Sequence, residues 1–493
     1  MTMPALAPAL DSLTVAGETD WQRLDPRRAA VTTATPGGAD HSVEWSLVAR
    51  LRAQASERLS RRLGHDRVDA GEQHSLGRAI IADLLSESAA QAVASGQRPW
   101  ERDFQSRLGQ AVFDALFRLG RLQPLVDDDT IENIIVTGCD NVWLERCDGS
   151  LTRGPAVAQT DAELIDFLSF IASRSEVNAR SFSEAEPRLH LRLDGGARLA
   201  AVAWVTPRPS VVIRRHRLHE VTLDDLVARE TLTPAAASLL AAAVRARRSI
   251  VVAGSQGAGK TTLIRALCAE IPPDEAIGTF ETEYELHLHE MTDRHPIVHA
   301  WEARPGSGER EADGRRAGEF TLDDALYDSF RFNLSRQIVG EVRGAEVLAM
   351  VKAMQSGSGS LSTTHADSAE GTIQKLITCA MEAGPHVTVD YATRVIADTI
   401  DLVVFVERAA TTASDGTTQR FRWVSQILAV TPGELPRGYA VTRLFWADPG
   451  ERVARPVTFP DHLGDLTAHG FDLAAYRAEN RLGAPALSIV GRT

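Results

Sequence analysis

The sequence predicts an α/β chain with a mostly parallel sheet, preceded by an α+β domain and a helical N-terminal extension. Three observations support this fold class. A short β-branched run at 249–253 is followed by a glycine-rich loop and then by a helical pattern. Strand and helix patterns alternate after residue 249, which is typical of a parallel sheet with crossover helices. Before residue 216, helical periodicity gives way to short strands joined by turns.

Composition narrows the class of protein. The formal net charge of −13 over 493 residues argues against nucleic-acid binding overall, so we expect no nucleic-acid partner. The four cysteines form no C-x-x-C pair and suggest neither a disulfide framework nor a zinc site. No apolar run approaches about 18 residues, and the N-terminus lacks the basic region of a signal peptide. We expect a cytoplasmic protein that reaches a membrane only through partners.

The domain organisation follows from shifts in pattern along the chain. Residues 1–43 are rich in Ala, Pro, Thr and Gly without periodicity, whereas apolar residues recur three and four apart up to a predicted helix end at Gly120. Residues 304–318 form a predicted polar loop. We predict a disordered leader (1–43), a helical extension (44–120), an α+β domain (121–215), a linker (216–233), the α/β domain (234–446) and a C-terminal tail (447–493).

The glycine-rich stretch matches the full G-x-x-x-x-G-K-[ST] pattern of a P-loop. It lies between a predicted strand and a helix expected from Thr262, which is the context that a P-loop requires. Glycines let successive backbone N–H groups turn toward a phosphate, and the helix N-terminus adds its positive dipole end. We therefore predict ATP and Mg²⁺ as ligands, with Lys260 on the phosphates and Thr261 on the metal. The predicted nucleotide-binding residues are Gly254, Ser255, Gln256, Gly257, Ala258, Gly259, Lys260, Thr261 and Thr262.

Two carboxylates downstream of the loop are candidates for the metal and for the attacking water. Glu281 ends the predicted strand AIGTF, and Glu341 ends the short buried run QIVGEV in the manner of a Walker B element. Either carboxylate could orient the water while the other binds Mg²⁺, and the sequence leaves this choice open. Taken alone, the cluster at Glu281 is more typical of a charged strand end.

A histidine and several arginines complete the candidate catalytic residues. His365 ends a Ser/Thr-rich segment, where an imidazole is suited to sensing the γ-phosphate. Arg198, Arg214 and Arg215 lie in the preceding domain, and a guanidinium there could clamp a phosphate from the same or a neighbouring subunit. Each arginine taken singly would more often be a solvated surface group.

Four ordered motifs together resemble the secretion ATPases of type II and type IV secretion systems and type IV pili. The order is P-loop, acidic box, Walker B strand and histidine box, over roughly residues 120–410. The nearest likeness is to the CpaF-like branch that powers Tad-type pili. It rests on the stretches 122–145, 193–202, 212–215, 302–305 and 359–368. Thr282 stands where this family's acidic box usually has Asp.

The resemblance implies a RecA-like ATPase domain behind an N-terminal domain, with ATP bound between the two. It further implies a homohexameric ring that passes motion to an inner-membrane platform protein of a pilus or secretion machine. An alternative reading is a weakly hydrolysing nucleotide-binding regulator or scaffold, motivated by Thr282. A DNA-translocating motor is disfavoured by the acidic charge and by the absence of an aromatic and basic groove pattern. The cargo and the direction of motion cannot be read from the sequence.

Overall fold

The computed structural model divides into two compact units, Met1–Gly120 and Arg121–Thr493. The predicted disordered leader lies outside the described residues, as do the last ten positions of the chain. In the part that is described, no helix is long and apolar enough to cross a membrane. The structure describes residues 44–63, 69–96, 98, 100–174, 182–215, 220–310, 314–412, 418–434 and 437–483.

The described residues of the first unit form three helices, as the periodicity predicts: α1 (Trp45–Leu63), α2 (Ala70–Ala94) and α3 (Arg102–Phe117). Their apolar faces form one core, in which Leu108 and Val112 are fully buried. Asp69 caps α2 by accepting the backbone N–H of Glu72 at 2.8 Å. The prediction that α3 ends at Gly120 was wrong by three residues. Gly120 instead has a φ of 52° and begins a short 3-10 helix.

Residues 121–215 contain an antiparallel sheet of order β3-β2-β1-β6-β5-β4 and two helices. Alternation sends Leu199 and Ile213 into the core, where they are partners in the ladder, and Leu168 of α5 is buried as well. The short helix α4 and the short strand β3 were not predicted. The elements are α4 (Gln123–Asp127), β1 (Ile131–Thr137), β2 (Val142–Arg146), β3 (Leu151–Arg153), α5 (Asp161–Arg174), β4 (Arg188–Arg192), β5 (Arg198–Val202) and β6 (Ser210–Arg214).

The predicted linker contains a helix, α6 (Leu223–Ala228), beyond residues 216–219, which lie outside the described part. Thr222 and Asp225 form a reciprocal capping box at its start, and Leu223 and Leu226 are buried in the core of the following domain. The T-x-x-D spacing was the available signal for this helix. The helix has six residues, too few for an apolar periodicity to be recognised in the sequence.

The second half of the chain builds a nine-stranded sheet of order β17-β16-β15-β14-β7-β13-β12-β8-β9 with helices on both faces. The elements are α7 (Pro234–Arg245), β7 (Ile250–Gly254), α8 (Lys260–Cys268), β8 (Ile277–Glu281), β9 (Val298–Glu302), β10 (Arg304–Arg310), β11 (Arg316–Phe320), α9 (Leu322–Ser329), β12 (Arg336–Val342), α10 (Val347–Gln355), β13 (Ser360–Thr364), α11 (Ala369–Met381), α12 (Val389–Thr399), β14 (Leu402–Thr412), β15 (Thr418–Pro432), β16 (Tyr439–Trp446), β17 (Arg455–Pro456) and α13 (Leu473–Gly483).

The parallel core has the strand order of a RecA-like P-loop domain. β7 pairs in parallel with β14 and β13, and β13 separates it from β12. Residues 250–253 are completely buried because helices cover both faces of this strand. The carboxyl ends of β7, β8, β12 and β13 therefore meet at one edge of the sheet, where α/β proteins bind their ligands. The predicted fold class is confirmed.

The predicted polar loop at 304–318 contains paired strands. β10 and β11 form a two-stranded antiparallel ribbon in which Arg304 faces Phe320 and Ser307 faces Ala317. Residues 311–313 at its turn lie outside the described part. Backbone hydrogen bonds hold such a ribbon and require no apolar alternation, so the polar composition concealed it.

The segment predicted as a C-terminal tail completes the ATPase domain instead. β17 pairs with the edge strand β16, and a 3-10 helix (Asp461–His469) and α13 follow. Leu466, Phe471 and Tyr476 are buried in the core, and Tyr476 donates its hydroxyl to the carbonyl of Leu444 at 2.8 Å. The domain therefore extends at least to residue 483.

Candidate nucleotide-binding site

The P-loop has the predicted strand–loop–helix geometry. Gly257 and Gly259 have φ values of 73° and 99°, in the left-handed region that favours glycine. Gly259 caps α8, which begins at Lys260, two residues before the predicted start at Thr262. The first N–H groups of α8 therefore face the loop without intrahelical acceptors, as phosphate binding requires.

The remaining loop residues differ in their exposure. Ser255 and Gln256 are exposed at the tip, while Ala258 is fully buried. Gly254 lies against β14 so closely that a Cβ atom would stand 2.3 Å from the carbonyl oxygen of Val406. This position requires glycine for packing as well as for the motif.

Lys260 is buried against its own loop. Its Nζ donates to the carbonyl oxygens of Gly254 and Ser255, each at 3.2 Å, and lies 3.1 Å from Nδ1 of His365. Burial lowers the pKa of Lys260 to about 8. An anion that binds beside this loop can draw the buried ammonium group away from the carbonyl oxygens.

The histidine lies between the lysine and the Walker B carboxylate. Nε2 of His365 is 2.8 Å from Oε1 of Glu341, and Arg343 donates to the other oxygen of Glu341 at 2.5 Å. Burial and, to a smaller extent, the charge of Lys260 lower the pKa of His365. The imidazole is therefore neutral near pH 7. The structure thus brings together three of the predicted site residues from three different elements.

Glu281 does not occupy the metal-binding position that the sequence suggested. It is 2% exposed, and its Oε1 accepts the backbone N–H groups of Glu285 at 2.8 Å and Leu286 at 3.0 Å. Burial raises the pKa of Glu281 to about 7. Glu281 therefore orders the chain that follows β8.

Glu285 is the carboxylate that reaches the P-loop. Thr261 donates its hydroxyl to Oε2 of Glu285 at 3.1 Å, and Arg198 donates to the other carboxylate oxygen. Hydroxyl and carboxylate oxygens are hard ligands of the kind that Mg²⁺ prefers, so these residues fit a metal site. The spacing E-x-x-x-E was the signal available in the sequence, but it did not show which glutamate faces the loop.

The predicted arginines have different surroundings. Nη2 of Arg198 donates to the carbonyl oxygens of Glu283 at 2.9 Å and Tyr284 at 2.8 Å, so it clamps the acidic segment. Arg214 is exposed at the end of β6, and its charge adds to the lowering of the Lys260 pKa, after burial. Arg215 binds the Asp129 carboxylate at 2.7 Å, inside its own domain.

A cavity of about 740 Å³ adjoins the P-loop. Gly259 and Thr262 line one wall, and Phe421 and Arg422 of β15 line another. Arg422 also donates to the carbonyl of Gly257 at 3.0 Å. The volume is typical of a ligand pocket, which is usually a few hundred to about 1,000 Å³. Sequence reasoning missed this wall because β15 is more than 150 residues from the P-loop.

Arg420 connects the same cavity with the α+β domain. It lines the pocket and donates to the carboxylate of Glu145 on β2 and to the carbonyl of Gly149 at 3.4 Å. Asn133 donates to the second oxygen of Glu145 at 2.7 Å. A group bound in the cavity would thus be one side chain away from the β1–β2 hairpin.

The sequence profile of the family described as "Type II/IV secretion system protein" matches residues 118–426, more than half of the chain. The chain belongs to this secretion-system family. This family member is an ATPase with a RecA-like domain, as the P-loop, the Walker B carboxylate and the strand order all indicate.

Individual relatives of this secretion ATPase carry names from type IV secretion. The type IV secretion system protein PtlH of Bordetella pertussis is 30% identical over 60% of this chain and 90% of its own length. The type IV secretion system protein VirB11 of Brucella suis is 29% identical over 61% of this chain and 87% of its own.

Solved structures of secretion ATPases also align with the chain. The VirB11 ATPase of the Brucella suis type IV secretion system, in complex with sulphate, is 27% identical, with coverage of 65% of this chain and 95% of that one and a TM-score of 0.32. The ATPase DotB of Legionella pneumophila is 18% identical, with coverage of 64% and 81% and a TM-score of 0.44. The family assignment rests on the sequence matches.

Proposed function

We propose that this secretion ATPase hydrolyses ATP to power the assembly of a type IV, Tad-like pilus or protein secretion. One observation carries the proposal: His365 lies between the P-loop lysine and the Walker B carboxylate, 3.1 Å from Lys260 and 2.8 Å from Glu341. Such a contact lets the state of a bound phosphate act on the residue that would orient the attacking water.

Phosphate binding is assigned to the loop and the lysine. The N–H groups of Gly257, Gly259 and the first turn of α8 would cradle the phosphates, and Lys260 would exchange its carbonyl partners for phosphate oxygens. The 740 Å³ cavity beside Thr262 is large enough for the nucleoside. Arg422 on its wall supplies a positive charge.

Water activation is assigned to Glu341 and not to Glu281. Glu341 lies at the edge of the sheet beside Lys260, whereas Glu281 is committed to two backbone N–H groups. Thr261 and Glu285 would hold Mg²⁺, which neutralises phosphate charge when bound. Arg198 and Arg214 are our candidates for stabilising charge at the boundary with the α+β domain.

The expected partners are further copies of this chain and an inner-membrane platform protein. The resemblance to the Tad-pilus branch suggests a homohexamer, and the arginine-bearing edge of the α+β domain lies beside the acidic box as a ring motor would need. Native mass spectrometry with and without a non-hydrolysable ATP analogue tests this assembly. A chain that stays monomeric with the analogue would contradict the hexamer.

The hydrolysis proposal is tested with two substitutions and one control. Lys260→Ala and Glu341→Gln should each lower ATP turnover by at least about 100-fold while the circular dichroism spectrum is unchanged. Lys352→Ala is the matched control, because that side chain is 60% exposed on α10 and pairs only loosely with Asp323. Wild-type turnover in both site variants would overturn the assignment.

A nucleotide-binding scaffold with little hydrolysis is the second candidate. It is favoured by Thr282 in the acidic box and by the engagement of Lys260 with its own loop. Slow turnover that neither ring assembly nor a membrane partner stimulates would support it. Stimulation on assembly would exclude it.

A further inference from the structure

We propose that His287, His289 and Glu290 form a binding site for a transition-metal cation of the Zn²⁺ class, separate from the nucleotide site. The three residues follow the acidic box in the short sequence His-Leu-His-Glu. One ligand atom from each lies within 4.8 Å of the other two, and in the part of the chain that the structure describes no other trio of metal-ligating side chains meets this criterion.

The distances suit a tetrahedral cation. Nδ1 of His287 is 3.0 Å from Oε1 of Glu290, and Nε2 of His289 is 3.6 Å from the same oxygen. Metal–ligand bonds of about 2.1 Å at tetrahedral angles place ligand atoms about 3.4 Å apart. Two imidazole nitrogens and one carboxylate oxygen are ligands that Zn²⁺ accepts, with the fourth position left for water.

The backbone at the start of this cluster has a conformation of raised energy. His287 is fully buried and has a φ of 51°, in the left-handed region that a non-glycine residue seldom adopts. This conformation begins a 3-10 helix (Leu288–Glu290) and turns the three side chains toward one another. Strained backbone of this kind recurs at ligand sites.

A cationic group already occupies the cluster. Nη2 of Arg192, on β4 of the α+β domain, lies 2.7 Å from Oε1 of Glu290 and 3.5 Å from Nδ1 of His287. A metal ion bound to these atoms would repel the guanidinium at such short range. Metal binding and the Arg192 contact therefore compete, and a bound metal would release one contact between β4 and the ATPase domain.

The full chain is freed of metal with a chelator, saturated with Mg-ADP to cover the P-loop, and titrated with Zn²⁺ by calorimetry. We expect one equivalent of Zn²⁺ on the wild type and a visible d–d absorption band when Co²⁺ is the probe. His289→Ala and Glu290→Gln should abolish both signals. His462→Ala is the matched control, because it removes an exposed imidazole far from the cluster in sequence and should keep both.

The Arg192→Ala variant guards against loss of fold as the explanation. Removing the competing guanidinium should tighten Zn²⁺ binding by about tenfold, a gain that misfolding does not produce. Absence of saturable binding by the wild type would overturn the proposal. Unchanged stoichiometry in His289→Ala would also overturn it and leave the cluster as a salt bridge only. Unchanged affinity in Arg192→Ala would overturn the competition between the metal and the guanidinium. None of these outcomes depends on ATP hydrolysis.

Discussion

The ammonium nitrogen of Lys260 lies 3.1 Å from Nδ1 of His365, so the P-loop and the histidine box are in direct contact. An ammonium group has only donors, and Nδ1 must therefore accept, which leaves the ring proton on Nε2 facing Glu341. The imidazole thus connects the phosphate-binding cation with the Walker B carboxylate. A γ-phosphate that draws Lys260 away is expected to free His365 as well.

Replacing the imidazole tests this connection. We expect His365→Ala to lower kcat by about 100-fold, because Glu341 loses its link to the phosphate site, and to leave KM nearly unchanged. Steady-state kinetics would measure kcat and KM of the variant. ADP binding, measured separately, would show whether its nucleotide site is intact. His386→Ala, at an exposed position, is the control. Equal kcat in the two variants would contradict the role of His365.

Proton uptake should accompany nucleotide binding at alkaline pH. The pKa of Lys260 is lowered to about 8, so the free protein has lost most of this charge at about pH 8.5, and a bound phosphate restores it. Calorimetry in buffers of different ionisation enthalpy should detect most of one proton taken up per ADP at that pH. At about pH 6.5 the lysine contributes none. The His365→Ala variant shows whether the imidazole adds to the uptake.

Glu281→Gln should change stability in a pH-dependent way. Burial raises the pKa of Glu281 to about 7, so between pH 4.5 and 7 the folded chain binds more protons than the unfolded chain. The contribution of this group to stability therefore falls as pH rises through that window. We expect the melting temperature of Glu281→Gln, relative to wild type, to increase from about pH 5 to pH 8. A pH-independent difference would show that Glu281 has the same pKa in the folded and the unfolded chain, which would contradict the raised pKa.

Arg198 should hold the acidic segment in place. It donates to the carboxylate of Glu285 and to two backbone carbonyls, and an ammonium group cannot reproduce this planar set. Arg198→Lys should therefore speed amide exchange at 283–286 and lower kcat by about tenfold or more. Arg188→Lys on the neighbouring strand β4 serves as the control. Unchanged exchange in Arg198→Lys would show that the clamp is dispensable.

Arg420 should couple the cavity to the α+β domain. Arg420→Ala removes the donor to Glu145 and to the Gly149 carbonyl, so amide exchange in the β1–β2 hairpin should rise. We also expect ADP to protect that hairpin in the wild type and to protect it less in the variant. Arg437→Ala, which removes a half-exposed arginine near Glu370, is the matched control. Equal protection in both variants would contradict the coupling.

Local pattern was sufficient for the elements whose own residues specify them. The P-loop, the buried strands and the long amphipathic helices were predicted because their glycines, β-branched runs and apolar periods act over a few residues. The helix α6, the ribbon β10–β11 and the domain closure by β17 and α13 were missed. Polar composition concealed the ribbon, and shortness concealed α6. The closing helix α13 packs against α7, which is distant in sequence, and a local pattern does not contain such a partner.

The sequence by itself determined that this chain is a P-loop secretion ATPase and that Lys260, Glu341 and His365 belong to one site. Only the tertiary structure decided that Glu285 accepts the hydroxyl of Thr261 whereas Glu281 accepts two backbone N–H groups, and that Arg198 clamps the acidic segment whereas Arg215 binds Asp129. The two glutamates are four residues apart and chemically identical. What separates them is burial: one carboxylate is used by two backbone N–H groups under the sheet edge, and the other remains at the phosphate-binding loop.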